Sequence, residues 1–352
     1  MNKGEWSELY ALLYLMINRN LKLVDHSLNV IDESIFEVKR LANDSKEGEI
    51  TFHFNATGDV VPTVFNVEQP PISNEEIEMI KNQLFSEIGE NRGTFSLGDI
   101  MGWLESHGVP TTFKAPPKRK DDIKISSFDN LQLRETGYLG YSIKSQIGSP
   151  ATILNASTQT NFLYTVSGLT DDDIIEVNEI NTNKKLRDRL SKIKSLGGNV
   201  EFVGVENPIF ENNLRFIDSH FPQAIGETLL RFYESDTSNL LDLFLQTNTF
   251  SDSVLSSFKL KEFLKAVSFG MLPSEPWNGV YQANGGIVIV SRDSNIYVLD
   301  NIYHSEIVAE YLIQETKLET PSTSRYHMLE LTRDELTNKV FFTLNLQVRY
   351  KK

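Results

Sequence analysis

The fold of this chain is decided by Asp121-Asp122-Ile123-Lys124-Ile125 and Tyr141-Ser142-Ile143-Lys144-Ser145-Gln146, which alternate polar and apolar residues. Alternation with a period of two is typical of a half-buried β-strand, whose successive side chains point to opposite faces. Ser142, Lys144 and Gln146 are therefore predicted to share the polar face of the second strand. If the two strands pair, a carboxylate at the start of the first lies beside a lysine on the second.

A carboxylate next to a lysine favours metal-assisted phosphodiester chemistry. Asp122 could hold a divalent cation through oxygen, and Lys144 could position an attacking water or stabilise charge on a phosphate. Asp121 is the rival ligand, but Asp122 directly precedes the alternating residues and so begins the strand. The alternative interpretation is an exposed strand face with solvated charges.

Two glutamates near the start of the chain could add a carboxylate to the same site. Glu5 and Glu8 lie three residues apart on a predicted amphipathic helix, so they share one helical face. The alternative is an acidic first turn that only complements the helix dipole.

Composition limits the class of protein. The 352 residues are 40% hydrophobic, contain no cysteine and carry a net charge of −14. Disulfides, thiolate catalysis and cysteine-bound zinc are therefore excluded. No apolar run has membrane-spanning length and the first residues lack a signal-peptide layout, which predicts a cytoplasmic protein with no membrane partner.

The acidic net charge at first argues against a nucleic-acid partner. Exposed charges beyond a Debye length of roughly 8–10 Å have little effect, so local clusters decide. One basic cluster, Lys118, Arg119 and Lys120, directly precedes the candidate carboxylate, where a phosphate would approach.

The order of predicted elements favours an α/β fold, a mixed sheet flanked by helices with a largely helical insertion. We expect an N-terminal helix and catalytic strands in 1–169, a helical insertion that could bind DNA in 170–270, and returning strands with a helix in 271–352. A helix is predicted through Ile35, Val38 and Leu41, and another over Leu214 to Tyr233.

Two polar segments are candidate DNA contacts, because amides can read adenine, hydroxyls can bind phosphate, and arginine can bind either guanine or phosphate. Plain surface loops are the alternative. The candidates in them are Ser149, Asn155, Ser157, Gln159 and Arg325.

Three separated segments resemble the HpaII-type family of type II restriction endonucleases. They are Lys3-Gly4-Glu5-Trp6-Ser7-Glu8-Leu9-Tyr10, Gly140-Tyr141-Ser142-Ile143-Lys144-Ser145-Gln146 and Glu319-Thr320-Pro321-Ser322-Thr323-Ser324-Arg325. Ile147-Gly148-Ser149-Pro150-Ala151-Thr152 and Leu154-Asn155-Ala156-Ser157 add to the likeness. The resemblance covers nearly the whole chain.

The resemblance implies a PD-(D/E)XK nuclease that uses Mg²⁺ to hydrolyse both strands of a short DNA site such as CCGG. Asp122 takes the place of the motif's aspartate and Lys144 that of its lysine, whereas Ser142 stands where a second acid is usual. A serine is a weaker metal ligand, so Gln146 and Glu8 or Glu5, with Glu8 preferred, are candidates to complete the shell.

The resemblance also implies partners. Cutting both strands of a palindrome favours a homodimer or one chain acting twice, and a cognate DNA methyltransferase would protect the host DNA. Two alternatives stay open. One is a catalytically degenerate or partner-dependent DNA-binding protein, and the other is a methylation-dependent or asymmetric-site nuclease.

Overall fold

The computed structural model describes residues 1–45, 48–110 and 119–351. Its helices are α1 (Lys3–Ile17), α2 (Asn74–Glu90), α3 (Gly98–Ser106), α4 (Asp171–Glu179), α5 (Lys185–Ser195), α6 (Pro208–Arg215), α7 (Phe221–Glu234), α8 (Leu240–Leu245), α9 (Ser253–Phe269) and α10 (Ser305–Gln314). A 3₁₀ turn covers Thr158–Thr160.

The strands are β1 (Leu23–Val24), β2 (Val30–Asp32), β3 (Phe36–Ser45), β4 (Gly48–Phe54), β5 (Val60–Val64), β6 (Val67–Glu68), β7 (Ile123–Asp129), β8 (Arg134–Glu135), β9 (Leu139–Ser145), β10 (Thr152–Leu154), β11 (Asn161–Ser167), β12 (Asn199–Val205), β13 (Gly286–Val290), β14 (Ile296–Asp300), β15 (Thr316–Leu318), β16 (Thr332–Arg333), β17 (Val340–Asn345) and β18 (Val348–Tyr350).

A mixed sheet forms the centre of the described structure. Its strand order is β2-β1-β14-β13-β9-β7-β3-β4-β5-β6, with β8 paired to β7. Strand β9, which carries the predicted catalytic lysine, lies antiparallel to β7, which precedes it in the chain, and parallel to β13, which comes from the last quarter of the chain. The α/β class with a mixed sheet is confirmed. Two smaller sheets have the orders β10-β18-β15 and β12-β11-β17-β16.

The central sheet separates two hydrophobic cores, and β13 shows the division most clearly. Val288 packs into a core built largely by α1, α2 and α3, whereas Ile287 and Ile289 pack into a core built largely by the helices from α4 to α10. Parallel pairing sets Ser142 beside Ile287 and Lys144 beside Ile289. Because side chains alternate, both residues point to the face opposite α1. They share one face of the strand, as predicted.

Most predicted elements of the second half of the chain are present, but two boundaries differ. The predicted single helix over Leu214 to Tyr233 is two helices, because a new helix starts at Phe221 with Pro222 in its first turn, where a missing N–H costs nothing. At the end of the chain, the stretch from Val340 to Val348, for which the alternation predicts one strand, is likewise divided between β17 and β18, which lie in different sheets. The division of the chain after residues 169 and 270 stays a prediction.

One predicted element is wrong. The segment with Ile35, Val38 and Leu41, expected to be helical, is mostly strand β3, in which Leu41 pairs with Phe52 on one side and Ile125 on the other. Apolar residues three apart occur in helices and also in irregular strands. In β3 the register shifts just after Val38, and this shift places Val38 and Leu41 three residues apart in a strand. The correction matters because β3 supports the candidate site.

Gly140 in β9 lies where the backbone of a neighbouring segment comes closest. A Cβ at this position would be 2.3 Å from the carbonyl oxygen of Gln282 and 2.8 Å from Cβ of Asp121. We therefore expect Gly140→Ala to lower the free energy of unfolding by about 1–3 kcal/mol, measured by urea denaturation. Gly137→Ala is the control, since its Cβ would meet nothing within 4 Å. Equal urea midpoints for the two variants would refute this packing.

Candidate active site

Asp122 is held between three strands immediately before β7. The backbone N–H of Asp122 donates to the carbonyl of Tyr141 at 2.8 Å. The side-chain amide of Asn43 in β3 donates to the backbone carbonyl of Asp122 at 3.0 Å. Its Oδ2 accepts hydrogen bonds from Ser142 Oγ at 3.2 Å and from the Ile143 N–H at 2.7 Å. In the described part of the chain both hydrogen bonds to the carboxylate end on Oδ2, so Oδ1 can bind a cation or water.

Asp121 has a different environment. Its side chain is buried and accepts two hydrogen bonds from Arg119, at 2.8 Å from Nε and 2.5 Å from Nη2. Arg119 also pairs with Asp44 of β3 at 2.7 Å, and the hydrogen bonds with Asp121 raise the pKa of the guanidinium. This bidentate pair supports Asp122 over Asp121 as the metal ligand. The carboxylate of Asp121 also balances the charge of Arg119, which was predicted to contact DNA.

Lys144 has no such partner. Ser142, almost fully buried, bonds to Asp122, whereas among residues 1–45, 48–110 and 119–351 Lys144 makes no hydrogen bond or ion pair. Its side chain lines two adjoining cavities. A cation in this setting is available to a ligand.

Lys120 lies within electrostatic reach of the same groups. Burial and, to a smaller extent, the positive charge of Lys144 lower the pKa of its ammonium to about 8, although the carboxylate of Asp122 acts in the opposite direction. The backbone N–H of Lys120 donates to Gln282 Oε1 at 2.9 Å. Lys120 is thus near enough to Asp122 and Lys144 for their charges to affect its ammonium.

Helix α1 reaches this region through a hydroxyl pair. Ser7 Oγ donates to Ser145 Oγ at 2.8 Å, next to Lys144. The following glutamate, Glu8, lines the larger cavity with Lys144. Glu5 instead accepts from the backbone N–H of Asn2 in a capping box at the helix start. The geometry therefore favours Glu8 over Glu5.

The larger cavity has a volume of about 1250 Å³ and lies where α1, the loop after α2 and the residues around the end of β9 meet. Among the described residues, basic side chains dominate its charged lining, and Glu8 is the one acidic residue there. They are Lys3, Arg92, Lys144, Arg292 and Arg349. Arg92, Arg292 and Arg349 were missed by sequence analysis, because each lies in a segment that only the tertiary fold brings to β9.

The smaller cavity, of about 200 Å³, is lined by Lys144, Gln146, Glu315 and Tyr350 among others. The backbone N–H of Gln146 donates to the Val290 carbonyl at 2.9 Å, and its role as a metal ligand stays a prediction. Glu315 and Tyr350 were not predicted. The buried Tyr350 hydroxyl has no hydrogen-bond partner in the described part of the chain, and no local motif distinguishes either residue.

The predicted DNA-contacting residues divide into two groups. Ser149 and Asn155 line the larger cavity. Ser157 caps the 3₁₀ turn, and Gln159 accepts a hydrogen bond from Asn207, so their side chains are engaged within the protein.

The remaining two candidates are Lys118 and Arg325. Lys118 lies outside the described residues. Arg325 is exposed on a loop that joins the first polar segment through a 2.9 Å hydrogen bond from Tyr326 to the Ala156 carbonyl. The two predicted polar segments are therefore neighbours.

The oxygen donors at this site suit a hard divalent cation with a water-rich shell. Across residues 1–45, 48–110 and 119–351 no three His, Cys, Asp or Glu side chains lie together as a metal-binding group. Mg²⁺ needs only one or two carboxylates, since it keeps several waters and binds substrate phosphate. The free Oδ1 of Asp122 beside the Ser142 hydroxyl meets that minimum. Among the described helices none is long and apolar enough to cross a membrane.

Comparisons with known proteins show what the chain is similar to. A sequence model of the family described as HpaII restriction endonuclease matches residues 2–350. The type II restriction enzyme HpaII of Haemophilus parainfluenzae is 33% identical over 99% of this chain and 98% of its own length. No solved structure matches the chain.

Proposed function

The chain belongs to the HpaII restriction endonuclease family and is a type II site-specific deoxyribonuclease, and from this premise we propose that Asp122, Ser142 and Lys144 form its catalytic centre. The substrate is double-stranded DNA, which the enzyme cleaves in a sequence-specific manner. The observation that carries the proposal is the fixed carboxylate of Asp122 and, on the adjacent strand, a lysine that forms no ion pair with any residue the structure describes.

Each residue of the proposed centre has a distinct role. Asp122 presents Oδ1 while the Ile143 N–H and the Ser142 hydroxyl hold Oδ2, so the carboxylate is oriented before DNA binds. Lys144 places its ammonium where it can hold an attacking water and stabilise negative charge on the phosphate. Ser142 acts mainly by orienting Asp122, since its hydroxyl is a weak ligand.

Mg²⁺ is the proposed cofactor, held by Asp122 with Glu8 and Gln146 as further ligands. When bound, the ion polarises the scissile phosphate and lowers the pKa of water. Glu8 shares a cavity with Lys144, and Gln146 shares the other. Both glutamate and glutamine supply the oxygen donors that the ion prefers.

Further proposals concern the fold and the partners. The antiparallel β7 and β9, with Asp122 before one and Lys144 in the other, support a PD-(D/E)XK nuclease core. We propose a short palindromic site such as CCGG, a homodimer or a chain acting twice, and a companion methyltransferase. Action in the cytoplasm stays a prediction.

The test is a digest of unmethylated plasmid with wild-type protein, with Mg²⁺ and with excess chelator. We expect discrete fragments with Mg²⁺ and intact plasmid with chelator, because the phosphate needs the cation. A parallel digest of methylated plasmid reports methylation dependence. Sequence-specific binding with no cutting under any divalent metal would contradict the proposed centre.

A further inference from the structure

The larger cavity has a local charge opposite to that of the whole protein. The chain carries a net charge of −14, but of the residues that the structure describes, five basic ones and one acidic one line this cavity. Charges inside a cleft act at short range, where salt screens them less than it screens distant surface charges. The cavity is therefore suited to an anion larger than a single small ion.

Arg292 is fixed beside the catalytic strand. It follows the end of β13, the parallel neighbour of β9, and its Nε donates to the Gln146 carbonyl at 2.9 Å. Its side chain is exposed and lines both cavities with Lys144. The hydrogen bond from Nε thus fixes the guanidinium. The two Nη nitrogens make no hydrogen bond to the described residues, so they can donate two hydrogen bonds to one phosphate.

Arg92 lies on another wall of the same cavity. It follows Asn91, which caps the end of α2, so the arginine leaves the helix at a defined point. The side chain is exposed, and in the part of the chain that the structure describes it makes no hydrogen bond or ion pair. Arg349 differs, because Glu319 holds it at 2.6 Å.

We propose that Arg292 and Arg92 are positioning residues that bind backbone phosphates of the DNA in the larger cavity, with Arg292 holding the phosphate nearest Lys144. This inference rests on the proposed function, since it takes DNA as the anion. Phosphate contacts of this kind fix the register of a protein on the duplex but do not read its sequence. They would bring the scissile bond to Lys144 from two sides.

The experiment measures affinity for a short cognate duplex as a function of salt, without Mg²⁺ so that no cutting occurs. Each lost phosphate contact lowers the slope of log K against log salt by about 0.9. We expect this change in both Arg292→Ala and Arg92→Ala, with affinity reduced about tenfold or more at low salt. Arg292→Lys should restore the slope but only part of the affinity, since lysine lacks the fork.

Arg134→Ala is the matched control, an exposed arginine in β8, which pairs with the end of β7 far from Asp122. It should leave the slope unchanged. Wild-type slopes in both cavity variants, or an equal change in Arg134→Ala, would overturn the inference. A parallel plasmid digest with the wild-type protein separates this inference from the proposed function. If the wild type does not cleave, the proposed function is refuted, whatever the salt dependence of the variants. Thermal unfolding confirms that each variant is folded.

Discussion

Asp122→Asn is expected to lower the single-turnover rate of DNA cleavage by about 10²–10³-fold or more, comparable to losing a group that stabilises transition-state charge. The substitution keeps the shape and one oxygen that can accept from the Ile143 N–H, but it removes the charge that holds a cation. The rate is measured with enzyme in excess over a labelled duplex. Binding of the duplex should be largely retained.

Asp121→Asn distinguishes this role from a structural one. Asp121 is buried against Arg119, so Asp121→Asn should lower the free energy of unfolding. The variant that remains folded should cleave DNA at a rate close to that of the wild type. If Asp121→Asn lost cleavage while Asp122→Asn kept the wild-type rate, the assignment of the metal ligand would have to be exchanged.

Lys144→Met has the second large expected effect. Methionine keeps the apolar stem but removes the ammonium, so we expect the single-turnover rate to fall about 10²–10³-fold. Stability should change little, because in the described structure Lys144 has no ion pair or hydrogen bond to lose. Urea denaturation and the cleavage rate are measured on the same preparation.

Lys124→Met is the control for the second prediction. Lys124 lies on the neighbouring strand β7, where it pairs with Asp44 at 3.1 Å and Glu49 at 2.8 Å. Loss of such a partly exposed pair changes stability by about 0–1 kcal/mol and should leave cleavage within about tenfold of wild type. Equal rates for the two lysine variants would remove Lys144 from the proposed centre.

The sequence predicted the strands of the site because their pattern is local. Alternation with a period of two placed Ser142 and Lys144 on one face, and the structure confirms both the face and the pairing of β7 with β9. The prediction of a helix over Val38 and Leu41 was wrong, because the spacing of these apolar residues fits a helix and also an irregular strand. Pairing with β4 and β7, which the sequence does not display, decides between them.

The surroundings of the site could not be predicted, because they depend on contacts between distant segments. Arg119 was expected to bind DNA, but it forms ion pairs with Asp44 of β3 and with the buried Asp121. Arg292 and Glu315 reach Lys144 only through the return of the chain to the central sheet. Without the fold, neither differs from an ordinary surface residue.

The most direct test of the central claim is to sequence the fragment ends produced from unmethylated DNA by the wild-type protein and by Asp122→Asn. We expect the wild type, with Mg²⁺, to give ends that share one short sequence, and the variant to give almost no such ends over the same time. Identical ends at similar yield from the variant, or ends without a common sequence from the wild type, would contradict it.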